Sequence, residues 1–123
     1  MTRVFKTRHF QRRMRTTELT EAVLCKAVQE MAAGLIDADL GGGVLKKRVG
    51  LAGRGKCGGL RTLVATNRGN RWFFVFGFEK NERANVSDEE LEGLQLIAAD
   101  LLARTGPQLA EAIADGALQE ICQ

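Results

Sequence analysis

The sequence contains few of the residues that cross-link a chain, bind metals or anchor it in a membrane. It has three cysteines, one histidine, one proline and no tyrosine among 123 residues. Cys25, Cys57 and Cys122 lie far apart and show no CxxC or Cys/His spacing, so we expect neither a disulfide framework nor a zinc site, and we expect a reducing compartment. No apolar run approaches the length of a membrane span, and the arginine-rich N-terminus lacks the apolar stretch of a signal peptide. These absences predict a cytoplasmic protein without membrane contact.

The length and composition are those of one globular domain. A mass of 13.5 kDa leaves little room for two independent cores, and 45% hydrophobic with 27% charged residues is ordinary for a chain that folds unaided. We divide the domain into a main part, residues 1–104, and a C-terminal helical extension, residues 105–123.

Charge is distributed unevenly along the chain. Residues 1–86 carry 17 lysines and arginines against 7 acidic residues, whereas residues 87–123 carry 1 against 8. Such asymmetry indicates that one face of the protein binds a polyanion. The alternative is an ordinary solvated surface.

Hydrophobic periodicity predicts α+β architecture. Val4 and Phe5 suggest a short edge strand, and alternation after the glycines at 41–43 suggests a strand over 44–49, with Lys46 and Arg48 on the face opposite Leu45 and Val49. Two further strands, 60–66 and 71–78, flank a turn at 67–70. Residues 72–76 are apolar throughout, which is typical of a central strand covered on both sides. We expect Trp72, Phe74 and Phe76 on one side of it, and Phe73 and Val75 on the other.

Helices are predicted on either side of these strands. Apolar residues at helical spacing indicate a helix over 17–33, capped by Thr16 or Thr17. Ser87 and Glu90 form a capping box that opens a helix over 88–103. Pro107 starts a shorter helix, which we extend past Gly116 to Leu118 and Ile121.

The glycine-rich segment 50–59 has two interpretations. Gly50, Gly55 and Lys56 almost complete a phosphate-binding loop, but Cys57 replaces the hydroxyl residue that holds Mg²⁺, and the next segment predicts a strand rather than a helix. We therefore favour the other interpretation, in which glycines allow close backbone contact beside basic side chains.

Hairpin geometry brings basic residues together. In an antiparallel pair the start of one strand lies beside the end of its partner, so Arg61 should lie near Lys80, with Arg54 and Lys56 above them. We expect Lys56, Arg61 and Lys80 to be exposed and to converge on one groove, with Arg54 and Arg83 at its rim.

Specific motifs resemble a known family. The run from Gly55 to Arg61 (GKCGGLR), the apolar hairpin, and the run from Phe78 to Arg83 (FEKNER) before a capped helix are together similar to the RelE/HigB toxin superfamily. Residues 34–44 resemble one bacterial branch of it. The similarity spans nearly the whole chain.

The resemblance implies a fold, an activity and a partner. The fold is microbial-ribonuclease-like: an antiparallel sheet of three to four strands with helices packed on one face. The activity is endonucleolytic cleavage of messenger RNA, often on the ribosome, and the partner is a cognate antitoxin, often a helix-turn-helix protein. By position, Lys56, Arg61 and Lys80 match catalytic basic residues, and the expected RNA-binding residues are Arg54, Arg83, Lys46 and Arg48. The absence of tyrosine departs from some relatives, and Cys57 stands where serine is common.

Such chemistry needs a base for the ribose 2′-hydroxyl, cations for the phosphate oxygens and help for the leaving 5′-oxygen. A lysine serves as base if neighbouring cations lower its pKa, as Arg54 and Arg61 would for Lys56. We expect no metal and no cofactor, and we regard His9 as a surface residue. Two alternatives stay open: a toxin of the same fold that binds DNA gyrase and cuts nothing, and a non-catalytic RNA-binding module.

Overall fold

A six-stranded mixed sheet organises the molecule. The computed structural model describes residues 2–51 and 55–123. The strands in this part are β1 (Arg3–Thr7), β2 (Ala38–Gly41), β3 (Val44–Leu51), β4 (Gly55–Thr66), β5 (Arg71–Glu79) and β6 (Leu118–Ile121). The helices are α1 (Arg8–Met14), α2 (Glu21–Ala32), α3 (Asp88–Ala103) and α4 (Gly106–Ala114). The α+β class is therefore confirmed.

The sheet has more strands than predicted and is not purely antiparallel. Its order is β2-β3-β4-β5-β1-β6. β1 pairs with β5 in parallel, and the other neighbours are antiparallel. Val4 and Phe5, expected at an edge, lie inside the sheet because β6 covers β1 on its outer side. The prediction of three to four antiparallel strands missed β2, which has only four residues, and β6, whose partner β1 is remote in sequence.

Helices cover both faces of the sheet, so the expectation of helices on one face was wrong. One core lies under α1 and α2 and includes Phe10, Leu24, Val28, Leu45, Trp72 and Phe74. The other lies under α3 and α4 and includes Phe5, Leu63, Phe73, Leu94, Leu101 and Leu109. A central strand that is apolar on both faces requires apolar cover on both, and β5 has it.

A bulge in β5 changes the side on which its last residues point. Leu63 of β4 pairs with Phe76, but Val64 pairs with Phe74, so Val75 is the extra residue. Trp72 and Phe74 lie in the α1/α2 core, and Phe73 and Val75 lie in the α3/α4 core, as predicted. Phe76 also packs against the α3/α4 core and not with Trp72 and Phe74, because the bulge interrupts the alternation.

Helix caps match the sequence signals with one shift. α3 begins at the predicted capping box, with Ser87 Oγ accepting from Glu90 N–H and the Glu90 carboxylate accepting from Ser87 N–H. α2 is capped by Thr20 rather than by Thr16 or Thr17. No helix within the described residues is long and apolar enough to cross a membrane.

The C-terminal tail is only partly helical. α4 follows its N-cap Thr105, with Pro107 in its first turn, but residues 118–121 form strand β6 and not helix. The tail returns to β1, and this places Cys122 beside Cys25 of α2, where the two sulfurs form a disulfide. We had expected no disulfide. The spacing of 97 residues gives no local sign of the contact that the terminal strand creates.

Candidate functional site

Four of the predicted site residues line one cleft beside the sheet. Arg61 of β4 pairs with Phe78 of β5, so its side chain lies near the segment that follows β5. The cleft has a volume of about 380 Å³ and is lined by Asp37, Ala38, Lys46, Arg48, Arg61, Lys80 and Ala84. Four cations against one carboxylate make it strongly electropositive. We call it the basic cleft.

Arg61 is a cation held in the wall of the basic cleft. Only 7% of the residue is exposed, whereas we expected an exposed side chain. Its guanidinium donates one long hydrogen bond, 3.5 Å from Nη1 to the Gly59 carbonyl oxygen, and it has no carboxylate partner among the described residues. A charge removed from water without a counter-ion is costly. The arrangement therefore favours an anion that enters the cleft and reaches this guanidinium.

Arg48 is positioned by the one acidic residue of the cleft. Asp37 accepts from the backbone N–H of Arg48 at 2.6 Å and from its Nε at 3.1 Å. Burial raises the pKa of the Asp37 carboxyl, but the hydrogen bonds and charge of Arg48 outweigh it and hold that pKa below its ordinary value. Asp37 thus stays ionised and fixes the direction of Arg48. The sequence analysis did not single out Asp37. The pairing of Ala38 with Lys46 across β2 and β3, which places it here, has no sequence motif.

The two lysines of the cleft differ from Arg48 in their ion pairs. Lys46 is half-buried on β3, and Lys80 is exposed just after β5. Neither forms an ion pair in the part of the chain that the structure describes, whereas Arg48 is paired with Asp37. Among these residues no carboxylate therefore competes with a ligand for the two ammonium groups.

Lys47 shows why alternate residues of β3 differ in role. Its side chain points to the opposite face and is only 4% exposed. There its Nζ lies 3.0 Å from Glu30 Oε1 and donates to the Leu35 carbonyl oxygen at 2.9 Å. This lysine is neutralised inside the α2 side of the fold. The predicted division of β3 into two faces is therefore confirmed, and only Lys46 and Arg48 serve the cleft.

Arg83, expected at the rim of the groove, does not reach the cleft wall. Arg83 pairs with Glu90 at the start of α3 and lies over the Phe76 ring, with 5.9 Å from Cζ to the ring centroid. It does not line the cleft. Arg54 and the side chain of Lys56 lie outside the described residues, so their expected place above Arg61 stays a prediction.

The glycine-rich segment provides close backbone contact at one defined point. A Cβ on Gly59 would lie 1.9 Å from the Val49 carbonyl oxygen. Gly55 already begins β4, so a strand and not a helix follows the loop. The geometry of a nucleotide-binding loop, which needs a helix N-terminus, is missing. Among the described residues no three His, Cys, Asp or Glu side chains cluster as metal ligands would.

A match to one protein-family model identifies the relatives of this chain. Residues 2–121 match the model of the RelE toxin of the RelE / RelB toxin-antitoxin system. The chain belongs to the RelE toxin family. It is therefore a toxin of a toxin–antitoxin system. No curated protein matches the sequence significantly. The family match extends through β6, so it includes the C-terminal segment that we had set apart as an extension.

Proposed function

We propose that this RelE toxin is a metal-independent endoribonuclease that cuts messenger RNA bound to ribosomes in the cytoplasm. The observation that carries the proposal is Arg61, a nearly buried guanidinium that faces the basic cleft without a carboxylate partner among the described residues. An RNA phosphate suits a planar guanidinium, which can donate two parallel hydrogen bonds to its oxygens.

The cleft residues have distinct roles in the proposed reaction. The ribose 2′-oxygen attacks the adjacent phosphorus, and the bond from phosphorus to the 5′-oxygen breaks, which leaves a cyclic phosphate and a 5′-hydroxyl. Arg61 and Arg48 bind the phosphate oxygens, whose charge grows in the transition state. Lys56 and Lys80 handle the protons: one accepts the proton of the 2′-hydroxyl and the other donates one to the 5′-oxygen.

Lys46 extends the same surface along β3. It lines the cleft beside Arg48, so it is placed to bind a neighbouring phosphate of the same strand. Arg54 and Arg83 are proposed as outer RNA contacts. Arg83 would have to exchange its Glu90 partner for a phosphate to take this role.

Mapping cut ends tests the activity. Induced expression of the wild-type toxin should arrest growth and produce new transcript ends within translated regions. The Arg61→Ala, Lys56→Ala and Lys80→Ala proteins should each lose about 10²-fold or more in cleavage rate, as expected for loss of a phosphate-binding group or an acid or base. Arg68→Ala is the control, since Arg68 lies in the turn at the other end of the hairpin and pairs with Asp39.

Stability must be measured beside activity, because Arg61 is buried. Arg61→Lys keeps the charge but loses the bidentate geometry, so it should fold and still cleave poorly. If folded Arg61→Lys and Lys80→Ala proteins cut ribosome-bound transcripts at the wild-type rate, the assignment fails. Growth arrest with intact transcripts and inhibited gyrase would instead support the gyrase-binding alternative, and RNA binding without cleavage would support the RNA-binding module.

The antitoxin partner follows from the family. We propose that a helix-turn-helix antitoxin encoded beside the toxin lays an acidic or amphipathic segment over the basic cleft, where it would exclude RNA. Co-expression of the adjacent reading frame should yield a stable complex without nuclease activity. Recovery of free, active toxin from that co-expression would contradict this.

A further inference from the structure

A second cleft lies near the opposite edge of the sheet from the basic cleft. The basic cleft adjoins β2, β3 and β4, whereas this one adjoins β1 and the outer strand β6. Its volume is about 430 Å³. We call it the arginine cleft, and its lining residues are Lys6, Thr7, Arg8, Gln11, Arg12, Arg15, Ile113, Gly116, Leu118 and Gln119.

The positive charge of the arginine cleft is only partly used within the molecule. Arg8 donates from Nε to the Gly116 carbonyl oxygen at 3.2 Å and from Nη2 to that of Asp115 at 3.1 Å, so its direction is fixed but its charge is not neutralised. Arg12 and Arg15 are exposed and make no ion pair with any described residue. No lining side chain is acidic, although Glu21 reaches Lys6 from α2. The arginine cleft therefore carries positive charge that is only partly compensated, and this favours binding of an anion.

Other arginines of the N-terminal segment form ion pairs, which distinguishes them from Arg12 and Arg15. Arg3 is paired with Glu120, and Arg13 is paired with Glu79 and Glu82. The segment thus distributes its arginines between internal ion pairs and one open cleft.

The remaining lining groups suit an extended peptide. Ile113 and Leu118 contribute apolar surface. β6 is also the outer strand of the sheet, and an outer strand is where an extended peptide can align its backbone.

The aliphatic surface of the arginine cleft and the outer strand beside it favour a peptide over a nucleic acid. Stacking of bases on aromatic rings does not distinguish the two clefts, because no aromatic residue lines either of them among the described residues.

We infer that the arginine cleft binds an acidic peptide segment of a partner protein, with carboxylates on Arg12 and Arg15 and an aliphatic side chain against Ile113 and Leu118. This site is separate from the basic cleft, and the inference does not rest on RNA cleavage.

The test uses fluorescence anisotropy with three labelled probes: a peptide that alternates glutamate and leucine, its counterpart with glutamine for glutamate, and an oligouridine. Arg12→Ala/Arg15→Ala removes two unpaired cations from the arginine cleft. Lys46→Ala/Lys80→Ala removes two from the basic cleft and is the matched control for charge. Loss of two exposed ion pairs should weaken binding of the glutamate peptide by about tenfold in the first variant. The lysine variant tests the basic cleft as the competing site for an acidic peptide, and it should stay within about twofold of the wild type because it leaves the arginine cleft intact.

Each other outcome overturns the inference. The glutamate peptide should bind more tightly than the glutamine peptide, and equal affinities would show that carboxylates are not recognised. Loss of peptide binding in the lysine variant alone would place the peptide in the basic cleft. Loss of oligouridine binding alone in the arginine variant would make the arginine cleft an RNA surface. If the wild-type toxin bound neither peptide, the proposal that the arginine cleft is a peptide-binding site would be wrong. Thermal melting of both variants shows that they are folded.

Discussion

Gly59 lies directly against the carbonyl group of Val49, where the chain of β4 comes too close to β3 for any side chain. A methyl group at this position would overlap the Val49 oxygen, and only separation of the two strands could relieve the overlap. We predict that Gly59→Ala destabilises the toxin by about 3 kcal/mol, in the range of severe overpacking. Urea unfolding followed by circular dichroism measures the change.

A second glycine provides the control for this experiment. Gly93 lies within α3, and a Cβ there would meet no atom within 4 Å. Gly93→Ala should stabilise the toxin by about 0.5 to 1 kcal/mol, because alanine loses less backbone freedom in a helix. Equal effects at Gly59 and Gly93 would show that the close approach of β3 and β4 does not hold in solution.

The Cys25–Cys122 disulfide should contribute substantially to stability. It closes a long loop, with 97 residues of separation, and thus restricts the unfolded chain. We predict that Cys25→Ser/Cys122→Ser is less stable than the oxidised wild type by about 2 to 4 kcal/mol. A dithiol reductant should lower the melting temperature of the wild type and leave that of the double variant unchanged. A wild-type melting temperature that ignores the reductant would contradict the prediction.

The ion pair between Arg3 and Glu120 should make stability depend on pH. Both guanidinium-to-carboxylate distances are 2.9 Å, and the hydrogen bonds from Arg3 lower the pKa of Glu120 against the opposing effect of burial. A carboxyl group with a lowered folded-state pKa stabilises the protein above its ordinary pKa of 4.5, and this stability is lost as pH falls through the lowered value.

Glu120→Gln should therefore cost about 1 kcal/mol at neutral pH and little in strong acid, where the wild-type carboxyl is protonated. Unfolding free energies measured across the acidic range for both proteins check this. Glu111→Gln, on the exposed side of α4, is the control and should follow the wild type. A constant difference between Glu120→Gln and the wild type at every pH would exclude the linkage.

His9 should not take part in cleavage. Its ring stacks on Phe76 with 5.5 Å between centroids, and it does not line the basic cleft. His9→Ala should change the cleavage rate by less than about tenfold, well below the ~10²-fold loss expected for a general acid or base. Single-turnover cleavage of a ribosome-bound transcript is the measurement. A loss comparable to that of Lys80→Ala would place His9 in the mechanism.

The sequence predicted the parts of the fold that depend on local contacts. The hairpin of β4 and β5, the capped start of α3 and the two faces of β3 all follow from periodicity and turn residues. β6, the parallel pairing of β1 with β5 and the disulfide were missed, because each depends on a contact between residues remote along the chain. Phe76 was misplaced by a single extra residue in β5, and alternation cannot predict where a bulge falls.

The site was predictable to the same extent. Arg61 and Lys80 share a cleft because hairpin pairing places them there, and that pairing was visible in the sequence. The burial of Arg61 and the presence of Asp37 were not, since they depend on the packing of β2 and of neighbouring strands. Hairpin geometry and the family resemblance also placed Arg83 at the rim of the groove, whereas its ion pair with Glu90 holds it at the start of α3.

The pairing of the first strand with the last has a consequence for the order of folding. Val4 lies opposite Ile121, so this part of the sheet closes a loop of nearly the whole chain. Loops of that length close slowly, because more chain entropy is lost before favourable contacts can compensate for the loss. All residues that line the basic cleft lie between Asp37 and Ala84, on or beside the strands β2 to β5, which are consecutive along the chain. The cleft can thus take shape early, and the terminal strands complete a surface that is already formed.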